Sequence, residues 1–198
     1  MIKIGHPLLL IFLGLVVIAI LTLGILPWIV IYGLLLLSIG LTVWILWTAL
    51  LGAGFQPTSK MVVRKMLDMA EIGPQDVLYD LGSGDGRIVT EAVKSYGARA
   101  VGIEADPIRV LWSRMSLFFN KIQDKSHIKW GNFFNTDLSE ATVVTVFLGD
   151  KANQKLKVKL LKELKPGTPV VSYVWTFDDW EPVKVKKKDR IYLYRTFE

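Results

Sequence analysis

Val77-Leu78-Tyr79-Asp80-Leu81-Gly82-Ser83-Gly84-Asp85-Gly86-Arg87-Ile88 sets a short apolar run directly before three glycines at every second position. The apolar run reads as a buried strand and the glycines as a tight turn. Beyond the turn, Ile88, Val89, Ala92 and Val93 fall on one side of a helix. Strand, glycine turn and helix in that order aim backbone amides at a helix N-terminus, a natural place for a ligand.

The alternation continues outward. Upstream, Met61, Val62, Lys65, Met66 and Met69 mark an amphipathic helix entered at Thr58 or Ser59 after Pro57. Downstream, Arg99 to Glu104 reads as a second strand. Asp106-Pro107 then opens a long helix with a capping carboxylate and a proline at its first position. Its apolar residues Ile108, Leu111, Met115, Phe118, Phe119 and Ile122 keep a helical stripe. Three more strands are expected at His127–Gly131, Ala141–Leu148 and Pro169–Trp175. A helical face of Leu156, Leu160, Leu161 and Leu164 precedes the last, ended by Lys165-Pro166-Gly167. Val183–Lys187 and Arg190–Phe197 read as a closing hairpin around Lys188-Asp189. Strands alternating with helices predict an α/β fold, a Rossmann-like doubly wound parallel sheet, over residues 55–198.

Glu104 ends the second strand 18 residues past Gly86, where an acidic side chain can accept hydrogen bonds from a ribose. Glycine turn and acid together point to an adenosine-containing ligand. Asp80 and Asp85 stand beside or inside the turn, where a dinucleotide's pyrophosphate would be repelled. The Gly-x-Gly-x-x-Gly spacing of dinucleotide binders is also absent. S-adenosylmethionine carries a sulfonium and an ammonium instead, and both welcome carboxylates. It is the expected cofactor.

The N-terminal part is a different material. Residues 4 to 59 contain no Lys, Arg, Asp or Glu, although charged residues make up 21% of the whole chain. About 20 apolar residues cross a bilayer as a helix. Residues 7–26 and 28–51 would each suffice, with Gly24-Ile25-Leu26-Pro27-Trp28 as the break between them. The expectation is a two-helix transmembrane hairpin over residues 1–54. Lys3 before it and Lys60, Arg64 and Lys65 after it put both termini and the soluble domain on the cytoplasmic side. A secretory signal has a much shorter apolar core.

Cysteine is absent and histidine occurs twice, at His6 and His127. Thiolate chemistry, disulfides and multi-histidine metal centres are thereby excluded, and no metal is expected. Lys60 to Glu198 carries 23 basic and 18 acidic residues. Lys151, Lys155, Lys159 and Lys162 share a helical face, and Lys184, Lys186, Lys187 and Lys188 crowd the tail. Such faces are either simply solvated or meet anionic lipid headgroups. Without interleaved aromatics they do not suggest nucleic acid.

With these residues in view, the chain resembles the class I S-adenosylmethionine-dependent methyltransferases, whose first motif is an acidic residue followed by Gly-x-Gly-x-Gly. It is most similar to a family of protein-lysine methyltransferases. That family includes broad-specificity archaeal enzymes and mitochondrial enzymes acting on the ATP synthase c subunit and the adenine nucleotide translocase. The resembling residues are Pro57-Thr58, Tyr79 to Ile88, Val101-Gly102-Ile103-Glu104 and Leu160 to Gly167.

The resemblance implies that Asp80 and the turn Gly82, Ser83, Gly84 and Gly86 hold the methionine end. It places Glu104 on the ribose, and Asn132 and Phe133 beside adenine. Many relatives have Asp where this chain has Asn132. The Asn-Pro-Pro-Tyr signature of some nitrogen methyltransferases is replaced here by Phe147-Leu148-Gly149-Asp150. Phe55, Thr58, Phe147, Asp150, Trp175 and Phe177 flank the expected methyl donor as candidates for the acceptor site, with packing as the other reading of each. The expected function is transfer of methyl groups to lysines of a protein, and the anchor would suit a substrate that is itself at the membrane. The alternatives are a small-molecule or lipid methyltransferase, and a non-catalytic membrane adaptor that kept the fold.

Overall fold

A computed structural model describes residues 6–50 and 56–197. The chain divides into two compact units, residues 1–51 and 52–198.

The first unit contains α1, His6–Leu50, a single unbroken helix of 45 residues with Pro27 inside it. The expected hairpin, with helices at 7–26 and 28–51, is not formed, and the two-pass topology built on it falls with it. The reason is local. Pro27 lacks an N–H and forfeits one bond to the carbonyl four residues earlier, at a cost of roughly 3 kcal/mol. A reversal there would strand several amides and carbonyls at two new helix ends. Gly24 to Trp28 offers no side-chain acceptor for the amides, and only the Trp28 indole as a donor for the carbonyls. Within α1, Leu10–Trp44 has the length and composition to cross a membrane, with a mean hydropathy of 2.8.

The second unit is a seven-stranded sheet with helices on both faces. In chain order its elements are α2 (Lys60–Met69), β1 (Val77–Leu81), α3 (Arg87–Tyr96), β2 (Arg99–Glu104), α4 (Pro107–Phe119), β3 (Ser126–Trp130), β4 (Val143–Val146), α5 (Asp150–Glu163), β5 (Pro169–Tyr173), β6 (Lys184–Lys186) and β7 (Ile191–Arg195). The strands lie in the order β3-β2-β1-β4-β5-β7-β6. Pairings among β1 to β5 are parallel, and β7 runs antiparallel to both β5 and β6. The sheet is therefore mixed rather than wholly parallel, because the closing hairpin brings β7 back beside β5.

Alternate residues of the strands feed two cores. Leu78, Ala100, Ile128, Val143 and Val171 pack with α2, α3 and α4. Tyr79, Leu81, Ile103, Val144, Val146 and Val170 pack with Leu156, Leu160 and Leu164 at α5. Helix starts follow the sequence. Ser59 caps α2 through the Val62 amide, and Asp106 caps α4 through the Ile108 and Arg109 amides.

The apolar stripe of α4 does not face the core. The side against the sheet is Val110, Ser113 and Leu117, while Ile108, Leu111, Met115, Phe118 and Phe119 are exposed.

Strand order reverses between β1 and β4, since β1 leads outward to β2 and β3 before the chain crosses to β4. A crevice forms outside the carboxyl ends of strands at such a switch point. The glycine turn sits there.

Candidate active site

Gly82, Gly84 and Gly86 all have left-handed backbones, with φ of 81°, 56° and 76°. Only glycine takes that conformation at no steric cost. The turn is pinned from below. The amides of Gly82 and Ser83 both donate to the Ile103 carbonyl, at 2.9 and 3.0 Å, and that of Gly86 donates to Ser83 at 2.9 Å. A Cβ on Gly82 would meet Leu148 at 2.9 Å, which ties the turn to the end of β4. Gly102 matters equally, although the sequence marks it only as part of a family string. A Cβ there would meet Ile128 and Ser83 at 2.7 Å.

Glu104 is buried and joins the turn to α4. Its Oε2 accepts from the Gly84 amide at 2.8 Å, and its Oε1 from the amides of Ala105 and Asp106 at 3.1 and 3.0 Å. A carboxylate offers about four acceptor places, so three are taken. Ser113 completes the link by donating its hydroxyl to the Gly84 carbonyl at 2.7 Å.

Asp80 is also buried, one residue inside the end of β1. Burial is the main cause that pushes its carboxyl up to about 7. The Thr145 hydroxyl, 2.9 Å away, works against that, and the Glu104 and Asp85 charges add to it. Asp85 plays a different part from the one its sequence position suggests. Its carboxylate is held by the Arg87 guanidinium on both oxygens, so its charge is already compensated. The acidity available to a cationic ligand rests on Asp80 and Glu104.

Several features fit S-adenosylmethionine. The left-handed turn admits no side chain where a ligand would lie against the backbone. The buried Ser83 Oγ has no hydrogen-bond partner among the described residues. Glu104 keeps one acceptor place free. Asn132 and Phe133 follow β3, at the same edge of the sheet. The Asn132 Oδ1 already accepts from the Phe134 amide at 2.9 Å, capping a short 3-10 turn, and the Phe133 ring packs against Phe134, tilted, with centroids 4.6 Å apart.

The acceptor-side candidates separate. Phe55 lies outside the described residues. Thr58 is buried, and its carbonyl accepts from Arg87 Nη1 at 2.6 Å, which brings the segment before α2 to the glycine turn. Phe147 follows β4 and packs against Tyr173 with ring centroids 4.6 Å apart and planes tilted by 60°. Asp150 opens α5, exposed to solvent. Trp175 is 40% exposed. Phe177 is a packing residue, buried against Trp180 and Tyr194.

Three residues near these were not legible in the sequence. Tyr173 forms the aromatic pair with Phe147. Val174 has a φ of 73°, a conformation that β-branched residues avoid. It is held by its own amide on the Arg190 carbonyl at 2.8 Å and by the Trp175 amide on the Tyr173 carbonyl at 3.0 Å. Asn153, fully buried on α5, donates Nδ2 to the carbonyls of Trp175 and Thr176 and to the Ser172 hydroxyl. Strain stored at one residue and supported by such a network is common at functional sites. Only the proximity of β5 and α5 in the fold brings these groups together.

Comparison with known proteins identifies this arrangement. The ANTKMT methyltransferase domain matches residues 80–184. The chain belongs to this family. A protein-lysine N-methyltransferase of Saccharolobus islandicus is 43% identical over 147 residues, 71% of this chain and 91% of that protein. The adenine nucleotide translocase lysine N-methyltransferase of Mus musculus is 30% identical over 168 residues, 78% of this chain and 73% of its own length. Among solved structures, an RNA methyltransferase from Salinibacter ruber in complex with S-adenosyl-L-homocysteine superposes with a TM-score of 0.71 at 45% identity. It covers 72% of this chain and 95% of that one. This ANTKMT-family chain is an S-adenosylmethionine-dependent methyltransferase.

Proposed function

We propose that this methyltransferase acts on lysine side chains of proteins and works at a membrane. The observation that carries the reading is the Glu104–Gly84 link in a left-handed glycine turn, in a chain 43% identical to a protein-lysine N-methyltransferase.

The bound cofactor supplies an activated methyl group. The chain's residues have the remaining tasks. Asp80, Gly82, Ser83, Gly84 and Gly86 hold the methionine end, where Asp80 ionises in the company of an ammonium. Glu104 accepts from the ribose hydroxyls. Asn132 and Phe133 border adenine. A lysine attacks only as a neutral amine, and its ordinary pKa is about 10.4. The Phe147–Tyr173 pair and Trp175 form an apolar wall that disfavours the ammonium form, and Thr58 and Asp150 flank it with polar groups. With the catalytic domain taken to begin at residue 55, this site belongs wholly to the second part.

α1 serves as the membrane anchor. Lys60, Arg64 and Lys65 follow it, and the positive-inside tendency puts the catalytic part on the cytoplasmic side. The partners are then the bilayer and a protein with an accessible lysine.

RNA is the second reading of the acceptor, because the Salinibacter ruber protein, similarly close in sequence, is described as an RNA methyltransferase. The test is to incubate the full chain with methyl-labelled cofactor, native membranes and total RNA, then separate protein, lipid and RNA. Label in protein supports lysine transfer. Label confined to RNA or to lipid rejects it and leaves the methyltransferase assignment standing.

A further inference from the structure

α4 is amphipathic the wrong way round for a core helix. Its inner side is small and partly polar, and its outer side carries Ile108, Leu111, Trp112, Met115, Phe118 and Phe119, between 46% and 73% exposed. At 100° per residue these six span about a third of the helix circumference, with no polar residue between them. Trp130, at the end of the edge strand β3, adds another exposed indole, and its Nε1 donates to the Ala105 carbonyl just before α4. A soluble monomer rarely leaves so many large apolar side chains together in water.

Beside this face lies a groove of about 520 Å³ between α2, α3 and α4. Trp112 forms part of its wall, and Lys60, Arg64, Arg87 and Lys94 line it; Arg87 pairs with Asp85, and Lys60 and Arg64 share Glu91, so four cations against two acids leave an excess of two positive charges. Past the C-terminal end of α4, Lys121 and Lys125 are exposed. An apolar strip rimmed by lysine and arginine, with tryptophan at its margin, is the composition of a helix that lies in a bilayer interface. The same chain carries α1, and nine residues separate Leu50 of α1 from Lys60 of α2.

We propose that the outer face of α4 docks on a lipid bilayer, with its apolar side chains in the interface and the excess positive charge of the groove, with Lys121 and Lys125, against anionic headgroups. This rests on the reading of α1 as an anchor and is independent of the acceptor. It also selects a face. The basic residues that the sequence marks on α5 lie on the opposite side of the sheet from α4. Docking through α4 would press the ribose side of the cofactor crevice toward the membrane, since the α4 N-terminus adjoins Glu104.

The chain has no cysteine, so a single introduced one takes a single label. Met115→Cys, Val158→Cys on the exposed side of α5 and Leu36→Cys in α1 would each carry a nitrobenzoxadiazole group in the full chain. The proteins are reconstituted in phosphatidylcholine–phosphatidylglycerol vesicles. Quenching by doxyl-labelled lipid is then compared with quenching by aqueous iodide. The expected result is lipid quenching at 115 several-fold greater than at 158, weakened when phosphatidylglycerol is omitted. Iodide access at 115 equal to that at 158 would overturn the proposal. Shielding of 115 from both quenchers would overturn it in favour of a protein partner, either a second copy or α1 itself. Quenching indifferent to phosphatidylglycerol would overturn the role of the groove. The label at 36 reports on the anchor separately: lipid quenching there without quenching at 115 rejects α4 docking alone. Loss of cofactor binding or transfer would bear on the proposed activity and not on this comparison.

Discussion

Arg87 donates from Nη1 to the carbonyl oxygen of Thr58 at 2.6 Å while its other nitrogens grip Asp85. One side chain thus locks the segment before α2 to the glycine turn, although 29 positions separate the two residues. Arg87→Lys keeps the charge and loses the planar fork that serves both partners. Its rate of methyl transfer should fall about tenfold, a loss of about 1.4 kcal/mol, with cofactor affinity less affected. Single-turnover rates beside calorimetric dissociation constants check the split. Equal losses in both would mean that the link serves cofactor binding alone.

Asp80 makes two pH predictions with opposite practical signs. Its carboxyl is raised from 3.8 to about 7 in the folded protein, chiefly by burial. Between those values the folded state holds a proton that the unfolded chain has released, so this group's contribution to stability falls as pH rises from about 4 to 7. Asp80→Asn should therefore gain in melting temperature relative to the parent at pH 8, keep less than half of that gain at pH 5 and lose it near pH 4. Cofactor binding runs the other way. A cationic ligand needs the ionised form, so affinity in the parent should climb through about pH 7, and Asp80→Asn should be weaker and nearly flat. Thermal melts and calorimetry at four or five pH values, in one buffer series, read both.

Gly102 and Gly167 differ in what a methyl group would meet. At Gly102 a Cβ lands 2.7 Å from Ile128 and Ser83, whereas at Gly167 it meets nothing, although φ is 82°. Gly102→Ala should cost about 1–3 kcal/mol by overpacking and weaken cofactor binding by displacing Ser83. Gly167→Ala should cost roughly 1 kcal/mol of backbone strain and leave binding intact. Chemical denaturation with cofactor titration distinguishes them.

Much of this was legible in the sequence, for physical reasons that also mark its limit. The run Val77–Leu81 and the glycines after it were readable because a fully buried strand and a left-handed turn each restrict residue type. Glu104 was readable because it ends the next such strand. The closing hairpin around Lys188-Asp189 was readable from its two alternating runs. Helical period also placed Ile108, Leu111 and Met115 on one face of α4, yet period says which residues share a face and not which way that face points. Pro27 announced a lost hydrogen bond, which a helix can absorb without reversing. Asp85 looked available to a ligand because its partner Arg87, two residues on, had no visible reason to fold back. Tyr173, Val174 and Asn153 depend on α5 lying beside the end of β5, and no local pattern encodes that.

Glu104 bears the ribose assignment. Glu104→Ala removes the acceptors and strands three amides, so cofactor binding should weaken by about 1.5–3 kcal/mol, the range for hydrogen bonds to a charged group. The apo protein should lose stability as well. Glu104→Gln retains one oxygen and should fall between the two. Calorimetry with S-adenosylhomocysteine measures the series, and unchanged affinity in Glu104→Ala would remove Glu104 from the site.

The most direct test of lysine transfer is peptide mass spectrometry after incubating the full chain, S-adenosylmethionine and a membrane-protein fraction. Each transfer adds one methyl group to an identifiable lysine. The expected result is mono-, di- or trimethyl-lysine in peptides treated with the parent protein, and its loss with Glu104→Ala. Cofactor turnover with methyl groups found on RNA or lipid, and on no lysine, would contradict the assignment.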